Sequence, residues 1–289
     1  MNSDHPPIRP PSEADSILLR VTKGCSYNKC TFCPAYKEIP FTIRSNEQIK
    51  SDLASLSSFN DKRSRLFLCD GDALILPQTR LTEIFDMIHT MLPAVKRIGS
   101  YANAKSISTK SDEELRELRN AGLKVIHMGL ESGDDRTLER LKKWGKSSEI
   151  VKQAKRVKEA GIKIFLTVLL GAGGVSRSKE HARFTGEALS DIDPNYTGAL
   201  TIIPHQGTVL HEQFVCGEFS LPTPFELLEE LREMLQYTNL SKGLFFANHA
   251  SNYLPLNIRL PNGKEDALKQ IDAALQRRTA LKPEWLRGL

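Results

Sequence analysis

Apolar and polar residues follow each other along this chain in short blocks that predict strands, each followed by a helix. The run Ile17–Val21 has the length of a strand, and Ile49, Leu53, Leu56 and Phe59 then recur at helical spacing. The same order returns five times, with apolar runs at about residues 65–69, 97–101, 125–130, 162–170 and 198–203. The pattern therefore predicts six successive strand–helix units.

An internal repeat indicates how these units are arranged. The segment 120–130 (NAGLKVIHMGL) resembles 159–169 (EAGIKIFLTVL), and in both a helix ends on Ala-Gly before an apolar strand. Repeated strand–helix units favour one parallel sheet. We therefore expect an α/β fold, a partial TIM-like (β/α)6 barrel over residues 15–240. Residues 1–14 are expected to be a flexible lead-in, and 241–289 a C-terminal extension outside the repeat that closes or flanks the barrel.

Composition narrows the class of protein only slightly. Hydrophobic residues make up 40% and charged residues 26%, as in ordinary soluble proteins. The net charge of +5 permits an anionic partner without requiring one. The N-terminus lacks the apolar core of a signal peptide, and no apolar run approaches the roughly 18 residues that span a membrane. A cytoplasmic protein with no membrane partner is expected.

Three cysteines after the first strand predict a metal site. Cys25, Cys30 and Cys33 lie within nine residues, and no fourth Cys or His follows at comparable spacing. Structural zinc needs that fourth ligand, whereas three thiolates on a [4Fe–4S] cubane leave one iron open for chemistry. The spacing also matches plant-type ferredoxins, in which Cys69 would be the fourth ligand. We favour the open cubane and interpret Cys69 and Cys216 as buried or incidental thiols.

The cysteine loop GCSYNKCTFCPAY (24–36) resembles that of radical S-adenosylmethionine (SAM) enzymes, with Phe32 at the aromatic position before the last cysteine. The chain has C-x4-C-x2-C where C-x3-C-x2-C is common. GDA (71–73), GLESG (129–133) and a glycine-rich strand end (171–174) follow in the expected order. The likeness covers roughly residues 17–240. It is strongest to the branch with oxygen-independent coproporphyrinogen oxidase-like proteins, Elongator-type domains and methylthiotransferases.

This resemblance implies a [4Fe–4S] cluster on the three cysteines and SAM on its open iron. Reductive cleavage of SAM would yield a 5′-deoxyadenosyl radical that abstracts hydrogen from substrate. The implied cofactor-binding residues are Phe32 beside the cluster, Gly71 and Asp72 for the methionyl ammonium, Glu131 for the ribose, Lys143 for the methionyl carboxylate, and Gly171 and Ile203 for adenine. Two alternatives stay open: an ordinary turn at 71–72, and a solvated position for Lys143.

Substrate contacts are predicted from polar residues at strand ends and in the extension. These candidates are Tyr101, Asn103, His205, His249 and Asn252. The last two belong to the polar run NHASN (248–252), which could close the open side of the barrel over substrate.

Three functions remain in competition. The leading hypothesis is a radical SAM enzyme acting on a small molecule, with a flavodoxin or ferredoxin as electron donor. An RNA-modifying enzyme is the second, because residues 136–158 carry nine Lys or Arg. Interspersed acids make a solvated helix face the preferred interpretation, so nucleic acid is not favoured. The third is a non-catalytic iron–sulfur carrier or redox sensor.

Overall fold

The computed structural model describes residues 6–58 and 63–288, and these divide into two compact units. Unit 1 contains the described residues up to 28, together with 36–128 and 156–163; unit 2 contains 29–35, 129–155 and the described residues from 164 onward. Phe59 of the first predicted helix, and residues 1–5 of the predicted lead-in, lie outside the described residues.

The described elements follow the predicted order. The strands are β1 (Ile17–Arg20), β2 (Thr22–Lys23), β3 (Thr42–Ile43), β4 (Arg65–Cys69), β5 (Arg97–Tyr101), β6 (Leu123–Glu131), β7 (Lys163–Leu170), β8 (Tyr196–Thr201), β9 (Gly243–Phe246) and β10 (Asn257–Leu260). The α-helices are α1 (Asn46–Ser58), α2 (Gln78–Met91), α3 (Ala104–Ser108), α4 (Asp112–Asn120), α5 (Asp135–Arg140), α6 (Ser147–Glu159), α7 (Gly174–Ile192), α8 (Val209–Val215), α9 (Pro224–Tyr237) and α10 (Lys264–Leu275). Short 3-10 turns lie at Pro11–Glu13, Ala73–Ile75 and Glu284–Leu286.

Unit 1 is built on parallel strands in the order β1-β4-β5-β6. The central strand β4 is buried from Leu66 to Cys69, which explains its continuous apolar run, since a strand covered on both faces needs no polar side. Helix α2 buries Leu81, Ile84, Phe85 and Ile88 on one face, as their spacing predicts.

Unit 2 continues the strand–helix alternation. Strands β7, β8 and β9 pair in parallel, and β10 joins β9 antiparallel. Helices α7 and α9 pack so closely at Gly186 of α7 that a Cβ on this residue would lie 2.5 Å from the Met234 carbonyl oxygen of α9. Helix α9 begins at Pro224, with a reciprocal capping box between Thr223 and Glu226.

The C-terminal extension differs from its prediction. Strand β9 pairs in parallel with β8, from Tyr196 opposite Leu244 to Gly198 opposite Phe246, so the extension adds a strand and does not lie outside the repeat. The run GLFF is only four residues long, and such a short apolar run carries too weak a periodic signal to predict a strand.

The N-terminal lead-in also differs. Ile8 and Asp70 exchange two hydrogen bonds at the end of β4: the Asp70 N–H donates to the Ile8 carbonyl oxygen at 3.3 Å, and the Ile8 N–H donates to the Asp70 side-chain Oδ1 at 3.5 Å. Glu13 is fully buried, and its carboxylate accepts hydrogen bonds from Arg97 at 2.7 and 3.1 Å. This part of the lead-in is thus packed on unit 1, because the buried acid needs the arginine as its partner.

Within the described residues, no helix is long and apolar enough to cross a membrane.

We predict that Glu13→Gln destabilises the protein by about 3 kcal/mol, because it leaves a partly buried Arg97 without its carboxylate. Burial alone would raise the pKa of Glu13, but hydrogen bonds from Arg97 and Ser16 lower it below the usual 4.5. The stabilisation is therefore complete above pH 4.5 and is lost as the pH falls.

Urea unfolding measured across the acid range tests this prediction. Asp15→Asn is the matched control, because its side chain is 90% exposed and 3.8 Å from Arg65; it should cost less than about 1 kcal/mol. Equal stability of Glu13→Gln and the wild type near neutral pH would show that the buried pair contributes nothing.

Candidate functional site

Gly71 lies against the start of the cysteine loop in unit 1. A Cβ at this position would be 2.7 Å from the Cys25 Cβ and 2.9 Å from the Gly24 carbonyl oxygen. The Gly71 N–H donates to that same oxygen at 3.1 Å. Glycine is therefore required for the close approach of the β4 strand end to the loop that carries Cys25.

The neighbouring Asp72 is fully buried and heavily hydrogen-bonded. Its carboxylate accepts hydrogen bonds from Ser26 Oγ at 2.5 Å, Asn103 Nδ2 at 2.7 Å and Ser106 Oγ at 2.7 Å. Burial raises the pKa of Asp72 to about 6, against the lowering effect of these donors. The structure thus brings Asp72 together with Asn103, although the first was predicted to contact the cofactor and the second the substrate.

Asn103 makes a second hydrogen bond, which explains why it stands directly before helix α3. Its Oδ1 accepts the Ser106 N–H at 2.8 Å, so the side chain caps helix α3 while its amide nitrogen holds Asp72. Ser26 and Ser106 were not predicted as site residues. The signals were present: Ser26 follows Cys25, and Ser106 stands three residues after an Asn at a strand end.

Tyr101 ends β5 within a cluster of three rings. Its ring centroid lies 5.0 Å from that of Phe67 and 5.9 Å from that of His127, both edge-on. Burial raises the pKa of the Tyr101 hydroxyl and lowers that of His127 to about 4. Tyr101 is therefore a neutral, oriented phenol, and its contact with substrate stays a prediction.

In unit 2, the structure pairs two of the predicted cofactor residues. Lys143 Nζ lies 2.9 Å from Glu131 Oε1, and the two side chains are only 11% and 9% exposed. A Cβ on Gly129 would lie 1.9 Å from Glu131 Oε1 and 2.8 Å from Lys143 Nζ, so the pair occupies the space that this glycine leaves. The alternative prediction, that Lys143 lies on a solvated face, is wrong, because its side chain is only 11% exposed and is paired with Glu131.

Phe32 and Gly171 belong to the apolar part of unit 2. Phe32 packs against a buried cluster made of Leu141, Leu169, Ala172, Ile202, Leu210 and Phe219. Gly171 has φ +79°, and a Cβ there would meet Leu227 at 3.1 Å and Ile202 at 3.3 Å. Ile203, two residues beyond the end of β8, is half-buried beside the core residue Ile202.

The predicted substrate residues of the extension hold unit 2 together. Asn252 donates to the carbonyl oxygens of Ala199 and Ala247 at 2.7 and 2.8 Å, and accepts from Thr201 Oγ1 at 2.8 Å. His249 Nδ1 lies 2.9 Å from Ser251 Oγ, which accepts the Thr201 N–H at 3.0 Å. Asn252 therefore ties the polar run to β8, and substrate contact by either residue stays a prediction.

His205 lies after β8, away from this set of hydrogen bonds. Burial lowers the pKa of its imidazole, and its buried Nε2 has no hydrogen-bond partner among the described residues. A buried imidazole nitrogen that lacks a protein partner is available to a ligand, and contact of His205 with substrate stays a prediction.

Two further buried groups were not predicted. Glu230 of α9 and His181 of α7 are both fully buried in unit 2, with Glu230 Oε1 3.5 Å from His181 Nε2. Glu230 also accepts the Gly171 N–H at 2.5 Å. A charged residue on the apolar face of α9, between Leu227 and Met234, was the available signal in the sequence.

The donor chemistry of the cysteines fits an iron–sulfur cluster. Cys25, Cys30 and Cys33 are half-buried thiols that form no disulfide. Within the described residues, no three His, Cys, Asp or Glu side chains are arranged closely enough to hold a metal ion. The assignment of these thiols therefore rests on their number, their spacing and the glycine that accommodates their loop.

Family comparison identifies the class of protein: residues 19–184, more than half of the chain, match the Radical SAM superfamily, to which the chain belongs. Members of this superfamily are enzymes that use a [4Fe–4S] cluster and SAM, act on a substrate and need a reductant. This confirms the predicted superfamily, enzyme class and cofactors.

Individual relatives confirm the predicted branch. The chain is 27% identical over 220 residues to an uncharacterized protein of Methanocaldococcus jannaschii, covering 70% of this chain and 65% of the relative. It is 23% identical over 171 residues to the heme chaperone HemW of Bacillus subtilis, covering 59% of this chain and 44% of HemW. The chain thus spans less than two thirds of each of these relatives.

A solved structure shows the fold. Coproporphyrinogen III oxidase (HemN) from Escherichia coli superimposes with a TM-score of 0.57 at 14% identity, over 77% of this chain and 51% of HemN. This likeness confirms the predicted fold class, an α/β fold of the partial TIM-barrel kind.

We predict that Gly71→Ala lowers cluster loading, because the new methyl group would overlap the Cys25 side chain and displace the loop. Iron and sulfide are measured after anaerobic reconstitution. Gly288→Ala is the control, since a Cβ there would meet nothing within 4 Å. Full iron content in Gly71→Ala would contradict the role of this contact.

Proposed function

We propose that this chain binds SAM on a cluster held by Cys25, Cys30 and Cys33, cleaves it reductively, and uses the resulting radical to abstract hydrogen from a small molecule. The bound cluster and SAM supply the radical chemistry itself. The tasks of the chain are to hold the cofactor, exclude water and orient one C–H bond of the substrate.

The Glu131–Lys143 pair supports SAM binding at the end of β6. A carboxylate has two oxygens that accept hydrogen bonds, so Glu131 can accept a ribose hydroxyl while Lys143 holds Oε1 at 2.9 Å. Lys143 in turn carries a positive charge suited to the methionyl carboxylate. The buried pair orients both groups before the cofactor arrives.

The turn at Gly71 and Asp72 supports binding of the methionyl ammonium. Backbone carbonyl oxygens at such a turn accept hydrogen bonds from a cation. Asp72 acts behind this turn, because its carboxylate is held by Ser26, Asn103 and Ser106. The carboxylate therefore fixes the turn and the residue that follows Cys25.

One observation favours a small-molecule substrate over RNA. Four of the nine basic residues of 136–158, the segment that raised the RNA alternative, are engaged within the protein. Lys143 pairs with Glu131, Lys155 with Asp191, and Arg156 with Asp112 at 2.6 Å. Arg140 donates to the Ala172 carbonyl oxygen and lies over the Phe219 ring. Cations committed to internal partners contribute little to a phosphate-binding surface.

The reductant and the location complete the proposal. Low-potential one-electron donors of the flavodoxin or ferredoxin type suit the reduction of a [4Fe–4S] cluster, and we take the cytoplasm as the compartment where such donors and reduced thiols coexist.

We predict that the anaerobically reconstituted protein, when reduced and given SAM, forms 5′-deoxyadenosine and shows a SAM-dependent change in the EPR signal of the cluster. Cys30→Ser should abolish both, because it removes a cluster ligand. Cys69→Ser is the matched control, as Cys69 is a buried thiol of β4. A [2Fe–2S] spectrum that depends on Cys69, with no 5′-deoxyadenosine, would instead favour an electron carrier.

We further predict weak, salt-sensitive retention on tRNA that does not change when Lys152 is replaced. Lys152→Ala removes an exposed cation of α6 that would contact phosphate if this helix bound RNA. Binding is measured by filter retention at several salt concentrations. Tight retention with a steep salt dependence, weakened by Lys152→Ala, would favour RNA modification and overturn the small-molecule proposal.

A further inference from the structure

A network of buried side chains in unit 2 lies behind the two strand ends that carry Glu131 and Gly171. Its central members, His181 and Glu230, are fully buried and come from two different helices, α7 and α9. Buried ionisable groups are costly unless their hydrogen bonds are satisfied, so their positions are informative. Neither residue belongs to the cofactor set implied by the superfamily resemblance.

Glu230 controls the turn after β7. Its Oε1 accepts the Gly171 N–H at 2.5 Å, and its Oε2 accepts the Ser178 hydroxyl at 2.5 Å. Gly171 has φ +79°, a conformation that L-residues rarely adopt, so this turn needs an external acceptor to hold its N–H in place. The carboxylate also anchors the start of α7 through Ser178.

His181 forms a hydrogen bond with the segment that directly follows Glu131. Its Nδ1 lies 2.8 Å from Ser132 Oγ, and the same Oγ accepts the Asp134 N–H at 2.9 Å. Because Ser132 Oγ accepts there, we assign its proton to the bond with His181 Nδ1, which leaves the ring proton on Nε2, 3.5 Å from Glu230 Oε1. His181 is thus in hydrogen-bond contact with Ser132, and its Nε2 lies beside Glu230 Oε1 without forming a hydrogen bond to it.

Two further contacts make the arrangement rigid. Arg177 donates to both carboxylate oxygens of Asp134 at 2.8 Å, and Thr185 Oγ1 accepts the Gly133 N–H at 2.8 Å. Helix α7 is therefore bound to residues 132–134 through Arg177, His181 and Thr185. Burial lowers the pKa of His181 to about 4 and raises that of Glu230 to about 7, so the imidazole is neutral.

We propose that Glu230 and His181 are positioning residues for SAM: Glu230 sets the Gly171 turn against adenine, and His181, through Ser132, sets the strand end that presents Glu131 to the ribose. This inference rests on the proposed function and adds to it two residues that do not touch the cofactor. It predicts that hydrogen-bond acceptance at these positions, and not volume alone, determines SAM affinity.

Glu230→Met and Glu230→Gln separate acceptance from packing. Methionine fills the space but offers no comparable acceptor, whereas glutamine keeps a carbonyl oxygen for the Gly171 N–H. The measurement uses the cluster-loaded, oxidised protein, which does not turn over. There, Glu230→Met should raise the dissociation constant of SAM about tenfold. Glu230→Gln should stay close to the wild type, and iron content should be unchanged in both.

Hydrogen–deuterium exchange gives a readout that does not depend on activity. Residues 171–174 should exchange faster in Glu230→Met than in Glu230→Gln. Glu229→Met is the matched control, because Glu229 is the exposed neighbour on the same helix and should alter neither exchange nor affinity. If Glu230→Met proves insoluble, His181→Leu and His181→Asn take its place, with asparagine retaining an acceptor towards Ser132.

The outcomes distinguish this inference from the proposed function. If wild type and Glu229→Met bind SAM but Glu230→Met binds it equally well, the positioning role is wrong while the function stands. If Glu230→Gln loses as much affinity as Glu230→Met, acceptance is not the property that matters. Failure of the wild type itself to bind SAM would overturn both.

Discussion

Asp72, Glu131 and Glu230 are carboxylates buried at, or directly behind, the carboxyl ends of parallel strands, and each needs polar partners to offset the loss of water. Asp72 takes hydroxyl and amide donors from Ser26, Asn103 and Ser106. Glu131 takes Lys143, and Glu230 takes the Gly171 N–H. The partners that satisfy these acids are the same groups that shape the turns at each strand end.

This constraint explains why the site is built from small residues beside acids. Gly71 allows the β4 end to approach the Cys25 loop, and Gly129 leaves room for the Glu131–Lys143 pair. Gly171 adopts a left-handed conformation whose N–H is held by Glu230. A methyl group would collide with its neighbours at Gly71 and Gly129, whereas at Gly171 the positive φ itself would strain any other residue. Rigid turns of this kind suit radical chemistry, in which a reactive intermediate must meet one C–H bond and no water.

The comparisons and the site agree at the level of the superfamily. Family membership establishes the chemistry that cluster and SAM supply. The chain's own contacts bear on the choice of substrate, because three of the nine basic residues in the segment that raised the RNA alternative form ion pairs within the protein.

The strand–helix order, the three thiols and the glycines at strand ends were predictable, because each has a local cause: periodicity, spacing or backbone freedom. Contacts between distant residues were not. Asn103 with Asp72, Lys143 with Glu131, and Glu230 with Gly171 join residues from different elements, and nothing in their own neighbourhood of the chain encodes the partner.

The contact of Glu13 with Arg97 and the pairing of Gly243–Phe246 with β8 also join residues that are distant in the chain, and neither was predicted. The sequence by itself determined which chemistry is available and where the strands end. Only the tertiary structure decided which polar groups meet, since the cost of burying a charge is settled by partners that folding brings from elsewhere in the chain.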